Sequence, residues 1–256
     1  MPRERGCRCP ATRGSDRVGN EAGSQFQLDM FGRRSSCSPP RPATTAWAGK
    51  GGRRDRGRRR GARWREPDAG LWELENRWWT HSRLSVVCGL RRIADVSPGR
   101  DGRRYADLAG TILAETRRRC LHPDGFWRRA ADDDGPEAAL LLSLARGCPE
   151  GGDPATVRTR ERVERHLAED GYLYRFPTAG LRSARPKGLP AVQPPHGAGH
   201  ARCGDRAGAF RWFERTRAAC GPPGLFAEEY DVRQRQLRGN VPRPSSTPCC
   251  WSAPSA

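Results

Sequence analysis

The positive charge of this chain is concentrated in four segments that contain few aliphatic residues. These segments carry +16 of the formal net charge of +18, and Pro, Gly, Arg and Ser dominate them. They span 1–16, 33–61, 181–207 and 241–256. A chain of this composition buries too little apolar surface to offset its conformational entropy. We therefore expect these four segments to be disordered, and any folded core has to come from the blocks between them.

The remaining blocks carry the pattern of a helical protein. They span 17–32, 62–180 and 208–240, and together they predict one partial domain over 17–240. Apolar residues recur at helical spacing in four stretches, 84–94, 105–116, 136–146 and 156–169. Only 171–176 alternates with the period of a strand. Helices of about 11–14 residues with short connections predict an all-α fold of helical hairpins.

The sequence has no feature that predicts a membrane protein or an exported protein. No run of about 18 apolar residues occurs, so no transmembrane helix is expected. The first ten residues, MPRERGCRCP, lack the apolar stretch of a secretory signal. We therefore expect a cytoplasmic protein in which the ten cysteines are reduced thiols.

Four short motifs follow one another along the ordered blocks. They lie at 25–32 (QFQLDMFG), 71–84 (LWELENRWWTHSRL), 169–175 (EDGYLYR) and 224–240 (GLFAEEYDVRQRQLRGN). In this order they resemble glycoside hydrolase family 15, which includes glucoamylases and bacterial trehalases. The resemblance implies a partial (α/α)6 toroid of helical hairpins. It also implies inverting hydrolysis of α-glucosidic bonds in trehalose or α-glucan oligosaccharides, without a cofactor.

The same resemblance implies which residues form the site. Glu73 takes the position of the general acid, and Glu228 takes that of the general base. Inverting glycosidases hold two such carboxyl groups about 6.5–9.5 Å apart, which leaves room for the attacking water. Asp29 matches a sugar-binding aspartate, while Trp72 and Tyr230 are candidate stacking faces for the sugar ring.

Each of these assignments has a structural alternative. Glu73 is also consistent with an exposed acid at the start of a helix, where a carboxylate complements the helix dipole. Asp29 is consistent with an ordinary surface residue, and the tryptophans at 78–79 with core residues. Glu228 and Glu229 are adjacent, so the register of the base between them stays open.

The basic segments lead to a further hypothesis about the gene. Read one base over with G/C-rich codons, the regions 7–14, 189–201 and 242–252 resemble family motifs at the places where those motifs are expected. We therefore predict frameshifts in the coding sequence, and a fragment of the catalytic domain that is either an α-glucoside hydrolase or its inactive relic. The nucleotide sequence of the locus tests this prediction directly.

Two other functions are weaker interpretations of the same segments. The Arg-rich run at 52–65 favours nonspecific nucleic-acid binding through phosphate contacts. His196, His200 and Cys203 have a spacing that suits a metal ion, but no fourth ligand is evident. The sequence therefore predicts a carbohydrate as the partner and no metal site.

Overall fold

The structure of this chain is a computed structural model. It describes residues 25–30, 63–149, 152–177, 195–220, 226–227 and 229–238. The helices there are α1 (Thr80–Val96), α2 (Gly99–Cys120), α3 (Ala139–Ala145), α4 (Pro154–Leu167), α5 (Pro195–Arg202) and α6 (Arg206–Arg217). The strands are β1 (Ala168–Glu169), β2 (Tyr172–Leu173), β3 (Glu229–Asp231) and β4 (Gln236–Arg238). The described residues are therefore mostly helical, as the periodicity predicts.

Helix α1 forms the centre of the described fold. Every residue from Thr80 to Leu90 is buried, and α1 packs against both α2 and α3. Helix α2 is amphipathic, because its buried residues Ala109, Ile112 and Thr116 recur at intervals of three or four on one face. The pair therefore forms a hairpin with α1 inside and α2 outside.

The main core lies between α1, α2 and α3 and is built from aliphatic, tryptophan and cysteine side chains. Its buried members include Leu84, Val87, Leu90, Ile112, Trp127, Leu140, Cys88, Cys120 and Cys148. The five cysteines in the described part of the chain are thiols rather than halves of disulfides. This core holds α1 in place, and the polar residues of the site lie in the first turn of that helix.

Two short hairpins follow the helices. Strands β1 and β2 pair in antiparallel register, with Ala168 opposite Leu173. Asp170 and Gly171 close the turn with φ values of 57° and 76°, which is the conformation that Asp-Gly turns favour. The strand predicted over 171–176 is thus shorter than expected, and the residues after it are free to meet α3.

The helix expected over 136–146 also starts later than predicted. Helix α3 begins at Ala139, and the amide of Ala138 just before it donates to the carbonyl of Arg175 at 3.0 Å. A long-range hydrogen bond therefore joins the start of α3 to the residues after β2.

The disorder that composition predicts for the segment 181–207 is wrong at the end of that segment. Residues 195–202 form α5, which packs against α3 and α6, and Arg202 donates to the carbonyl of Ala145 at 2.7 Å. Tertiary contacts supply the stability that an amphipathic pattern does not provide here. The other segments expected to be disordered, 1–16, 33–61 and 241–256, lie outside the described residues.

Candidate functional site

The centre of the site is a tight turn that carries Trp72 and Glu73. The amide of Glu73 donates to the carbonyl of Gly70 at 3.3 Å, and Leu74 donates to Ala69 at 3.0 Å. Gly70 has a φ of 68°, and a Cβ added there would lie 2.8 Å from Cδ1 of Trp79. Only glycine fits this position, because both the backbone conformation and the indole exclude a side chain.

Glu73 itself has a left-handed backbone, with a φ of 55°. Its side chain is exposed, and Oε1 accepts a hydrogen bond of 3.2 Å from Nε2 of Gln27. Non-glycine residues adopt this conformation rarely, and they do so most often at functional positions. The turn excludes the helix-start alternative for Glu73.

A buried ion pair anchors the turn to α1. Asp68 and Arg83 are both fully buried and form a salt bridge. The same carboxylate accepts hydrogen bonds from the amides of Leu28 and Gly70 and, at 2.7 Å, from the hydroxyl of Ser82. One aspartate therefore joins the segment 25–30, the turn and the first turn of α1.

This anchor brings Asp29 into the interior. Asp29 is 1% exposed and adjoins Leu28, whose amide Asp68 holds. The carbonyl of Phe26 accepts a 2.9 Å hydrogen bond from the amide of Ala69 at the start of the turn. The surface alternative for Asp29 is therefore wrong, and the segments of Asp29 and Glu73 are neighbours.

A narrow cleft opens beside the turn. It is lined by backbone of the turn together with Trp72, Trp79, His81 and Glu137. The cleft is too narrow to hold a water molecule, so these residues alone do not form a complete ligand site.

His81 is fixed at the base of this cleft by two serines. Its Nε2 lies 3.2 Å from the hydroxyl of Ser85 on α1, and its Nδ1 lies 3.1 Å from that of Ser143 on α3. The imidazole is 1% exposed. These contacts use both ring nitrogens, so His81 links α1 to α3 as a structural residue.

Glu137 is the unusual acid of the cleft. It is 2% exposed, and Nε of Arg129 lies 3.8 Å from its Oε1, which is too far for a hydrogen bond. Burial raises the pKa of Glu137 to about 8, because desolvation disfavours the carboxylate. Arg129 and the indole N–H of Trp72 act in the opposite direction, whereas Asp133 and Asp68 raise the pKa further. The burial of Glu137 therefore favours the neutral carboxylic acid over the carboxylate.

Arg175 connects the turn to the segment of the second predicted catalytic acid. Its guanidinium carbon lies 5.1 Å from the ring centroid of Trp72, and its Nη2 lies 3.1 Å from Oε1 of Glu229. Glu229 begins β3, in which Tyr230 is buried and packs against Tyr172 at 4.9 Å between ring centroids. Two segments separated by about 150 residues in the sequence therefore meet at one guanidinium.

The sequence of the chain matches a known family over this region. The sequence profile of glycosyl hydrolases family 15 matches residues 60–190, which is more than half of the 256 residues. The chain belongs to glycoside hydrolase family 15. The matched region contains the turn, α1 to α4, Glu137 and Arg175.

Curated relatives of this family 15 chain include trehalases. It is 26% identical over 189 residues to a trehalase of Mycobacterium tuberculosis and 25% identical over 247 residues to trehalase 1 of Sulfolobus acidocaldarius. The matches cover 70% and 89% of this chain, but 28% and 41% of those proteins. The chain thus spans less than half the length of the curated relatives that it matches.

Solved structures show the same fold. A wild-type glycosidase aligns with a TM-score of 0.65 at 19% identity, covering 86% of this chain and 60% of that one. A bacterial glucoamylase complexed with acarbose aligns with a TM-score of 0.54 at 13% identity, covering 81% and 37%. The family 15 chain therefore shares its helical architecture with glycosidases.

The predicted site residues fall into three groups. Trp72 and Glu73 lie on the turn at the cleft, and buried Asp29 lies on the neighbouring segment. Tyr230 lies on the strand that Arg175 holds, but it packs against Tyr172. Glu228 lies outside the described residues.

Sequence analysis missed Glu137 and Arg175. Glu137 follows a proline before a leucine-rich helix, where an exposed acid is the usual interpretation. Arg175 was part of a recognised motif, but its two contacts are long-range. Trp78 and Trp79 are buried at 8% and 3% exposure, which confirms the core interpretation of both.

The sequence also led to predictions about a metal site, nucleic-acid binding and membrane spans. Among the described side chains, which exclude that of His196, no cluster of three or more metal-ligating groups occurs. His200 instead contacts carboxylates of Glu164 at 2.9 Å and Asp205 at 2.8 Å. Most of the Arg-rich run 52–65 lies outside the described residues. Each helix in the described ranges is too short or too polar to cross a membrane.

Proposed function

We propose that this chain carries part of the active site of an inverting α-glucoside hydrolase that acts on trehalose or a related α-glucan oligosaccharide. Glu73 is the general acid and Glu228 is the general base. Asp29, Trp72 and Tyr230 contact the sugar. The observation that carries the proposal is the double contact of Arg175, which brings the Trp72–Glu73 turn and the strand after Glu228 to the same place.

The reaction assigns one proton transfer to each carboxyl group. Glu73 protonates the glycosidic oxygen as its bond to the anomeric carbon breaks, and Glu228 takes a proton from the water that attacks the same carbon from the opposite face. The exposed position of Glu73 allows it to reach a leaving group in solvent. Hydrolysis of an α,α-linkage in this way releases one β-glucose and one α-glucose.

The choice of Glu228 over Glu229 rests on the ion pair. Glu229 lies 3.1 Å from Arg175, so its charge is already engaged by a guanidinium. A general base has to accept a proton during the reaction, and a neighbouring cation opposes that step. The adjacent acid is therefore the better candidate.

The test is hydrolysis of trehalose and maltooligosaccharides followed by NMR of the newly formed anomers. We expect β-glucose as the first product of attack, and Glu73→Gln should lower kcat by about 10²–10⁴-fold. Glu75→Gln is the matched control, because Glu75 is an exposed acid two residues away that pairs with Arg77 at 2.7 Å. Equal activity of the two variants would exclude Glu73 as the acid.

A second pair of variants tests whether Glu228 or Glu229 is the general base. Glu228→Gln should abolish turnover, whereas Glu229→Gln should mainly weaken substrate binding through the loss of the Arg175 contact. If the wild-type chain shows no turnover, a version with the predicted reading frame restored separates a decayed enzyme from a wrong assignment. Inactivity of both versions would count against the proposed function.

A further inference from the structure

Glu137 is a buried acid of the cleft that the proposed reaction does not use. It precedes α3 and is held there because Ala138 donates to the carbonyl of Arg175 at 3.0 Å. Its Oε2 and the indole Nε1 of Trp72 are both buried, and neither reaches full hydrogen-bond geometry with a partner among the described residues. Buried polar atoms of this kind are uncommon in folded proteins, because each one loses its hydrogen bonds to water.

The two groups are neighbours at the cleft. Both Trp72 and Glu137 line it, and the N–H of Trp72 is close enough to the carboxyl to influence its protonation. This N–H is therefore a donor available to the Glu137 carboxyl. A neutral carboxyl provides the acceptor without leaving an uncompensated charge in the interior.

The orientation of Trp72 also depends on its surroundings. Arg175 lies over its ring at 5.1 Å, and the turn that carries it is closed by bonds from the amides of Glu73 at 3.3 Å and Leu74 at 3.0 Å. Because Trp72 directly precedes Glu73, a shift of the Trp72 backbone also moves the backbone that carries the acid. An error of about 1 Å in the position of a reacting group can cost about 10²-fold in rate.

We propose that Glu137 is a positioning residue, which holds the Trp72 indole by accepting a hydrogen bond from its N–H and thereby sets the direction of the Glu73 side chain. This inference rests on the proposed function, in which Glu73 is the general acid. It adds a residue that contacts neither the substrate nor the reacting atoms.

The groups that face Glu137 define the pH dependence of this contact. Arg129 lies 3.8 Å away and favours the ionised form, while Asp133 and Asp68 favour the neutral form. His81 also lines the cleft, but its ring nitrogens contact two serines. As the pH rises through the titration of Glu137, the group that accepts from the Trp72 N–H should change from a neutral carboxyl to a carboxylate.

The first arm of the experiment observes the indole N–H signals of the eight tryptophans by NMR over a pH series. Trp72→Phe identifies the signal of Trp72. We expect this signal to move with pH in the wild-type chain and to stay constant in Glu137→Gln, which keeps the shape and has no titratable proton. The indole of Trp127, buried elsewhere in the core, is the internal control. A Trp72 signal with the same pH response in both proteins would overturn the proposal.

The second arm measures hydrolysis of trehalose at the pH optimum. Glu137→Gln should keep kcat within about twofold, because the amide oxygen still accepts from the indole. Glu137→Ala should lower kcat by about tenfold or more with little change in KM, since the acid is misdirected while the sugar contacts remain. Equal kcat values for the two variants would overturn the positioning role.

The two arms separate the two proposals. Absence of turnover in the wild-type chain and in its frame-restored version would overturn the proposed function, and with it the effect on Glu73. An indole signal insensitive to Glu137 would overturn the positioning role even in an active protein. Glu137→Gln preserves the volume of the side chain, so the NMR result stands if the alanine variant does not fold.

Discussion

Replacing Glu137 with glutamine should make the protein more stable at neutral and alkaline pH. The pKa of this carboxyl is 4.5 without the protein environment and about 8 in the folded chain. Between these two values the unfolded chain loses the proton while the folded chain retains it. The unfolded state therefore binds fewer protons, and the free energy of unfolding falls as the pH rises through this window.

The size of this loss of stability follows from the difference between the two pKa values. Each pH unit is worth about 1.4 kcal/mol, so the span from 4.5 to about 8 corresponds to about 5 kcal/mol. Small domains have total stabilities of about 5–15 kcal/mol, so a single carboxyl has a large effect here. Glutamine has no proton to lose and removes this dependence.

Urea unfolding followed by tryptophan fluorescence measures the effect across a pH series from about 5 to 8. The difference in unfolding free energy between Glu137→Gln and the wild type should grow by about 1.4 kcal/mol per pH unit. Glu115→Gln is the control, because hydrogen bonds from Arg118 and Arg119 lower the pKa of half-buried Glu115 to about 2, below this range. Parallel stability curves for the wild type and Glu137→Gln would refute the reasoning.

Three further substitutions test the anchor of the site. Asp68→Asn should destabilise the fold by about 3–5 kcal/mol in urea unfolding, because buried Arg83 loses its counter-charge, and a loss below about 1 kcal/mol would contradict this. Gly70→Ala should cost about 2–4 kcal/mol through its positive φ and the contact with the indole, and an unchanged near-UV circular dichroism spectrum would argue against that crowding. Arg175→Gln should separate the turn from β3 and lower kcat/KM by at least about tenfold in the trehalose assay, whereas wild-type activity would exclude Arg175 as the link.

Local patterns in the sequence were sufficient to predict the helices of the hairpin. The predicted stretches 84–94 and 105–116 lie inside α1 and α2, because the burial of a helix follows from residues three and four positions apart. The bounds were too short because the first turn of α1 is polar. Ser82 and Arg83 in this turn pair with Asp68, and His81 contacts Ser143 on α3, which periodicity cannot show.

The long-range parts of the site were beyond a sequence argument. From the sequence, Asp68 and Arg83 would be expected on the surface as ordinary charged residues. Both are fully buried, because each is the partner of the other. Glu137 is buried by a hydrogen bond between its neighbour and Arg175, which lies 38 residues away in the chain. The positions of Glu73 and Trp72, in contrast, followed from a motif that is contiguous in sequence.

The buried thiols of the core make its local opening measurable by chemical modification. Cys88, Cys120 and Cys148 are buried in the main core between α1, α2 and α3, and burial raises the pKa of Cys120. Contact with Cys148, together with burial, raises the pKa of Cys88 as well. Alkylation requires an accessible thiolate. The rate at which iodoacetamide modifies these three sulfurs therefore reports how often the helices of this core separate.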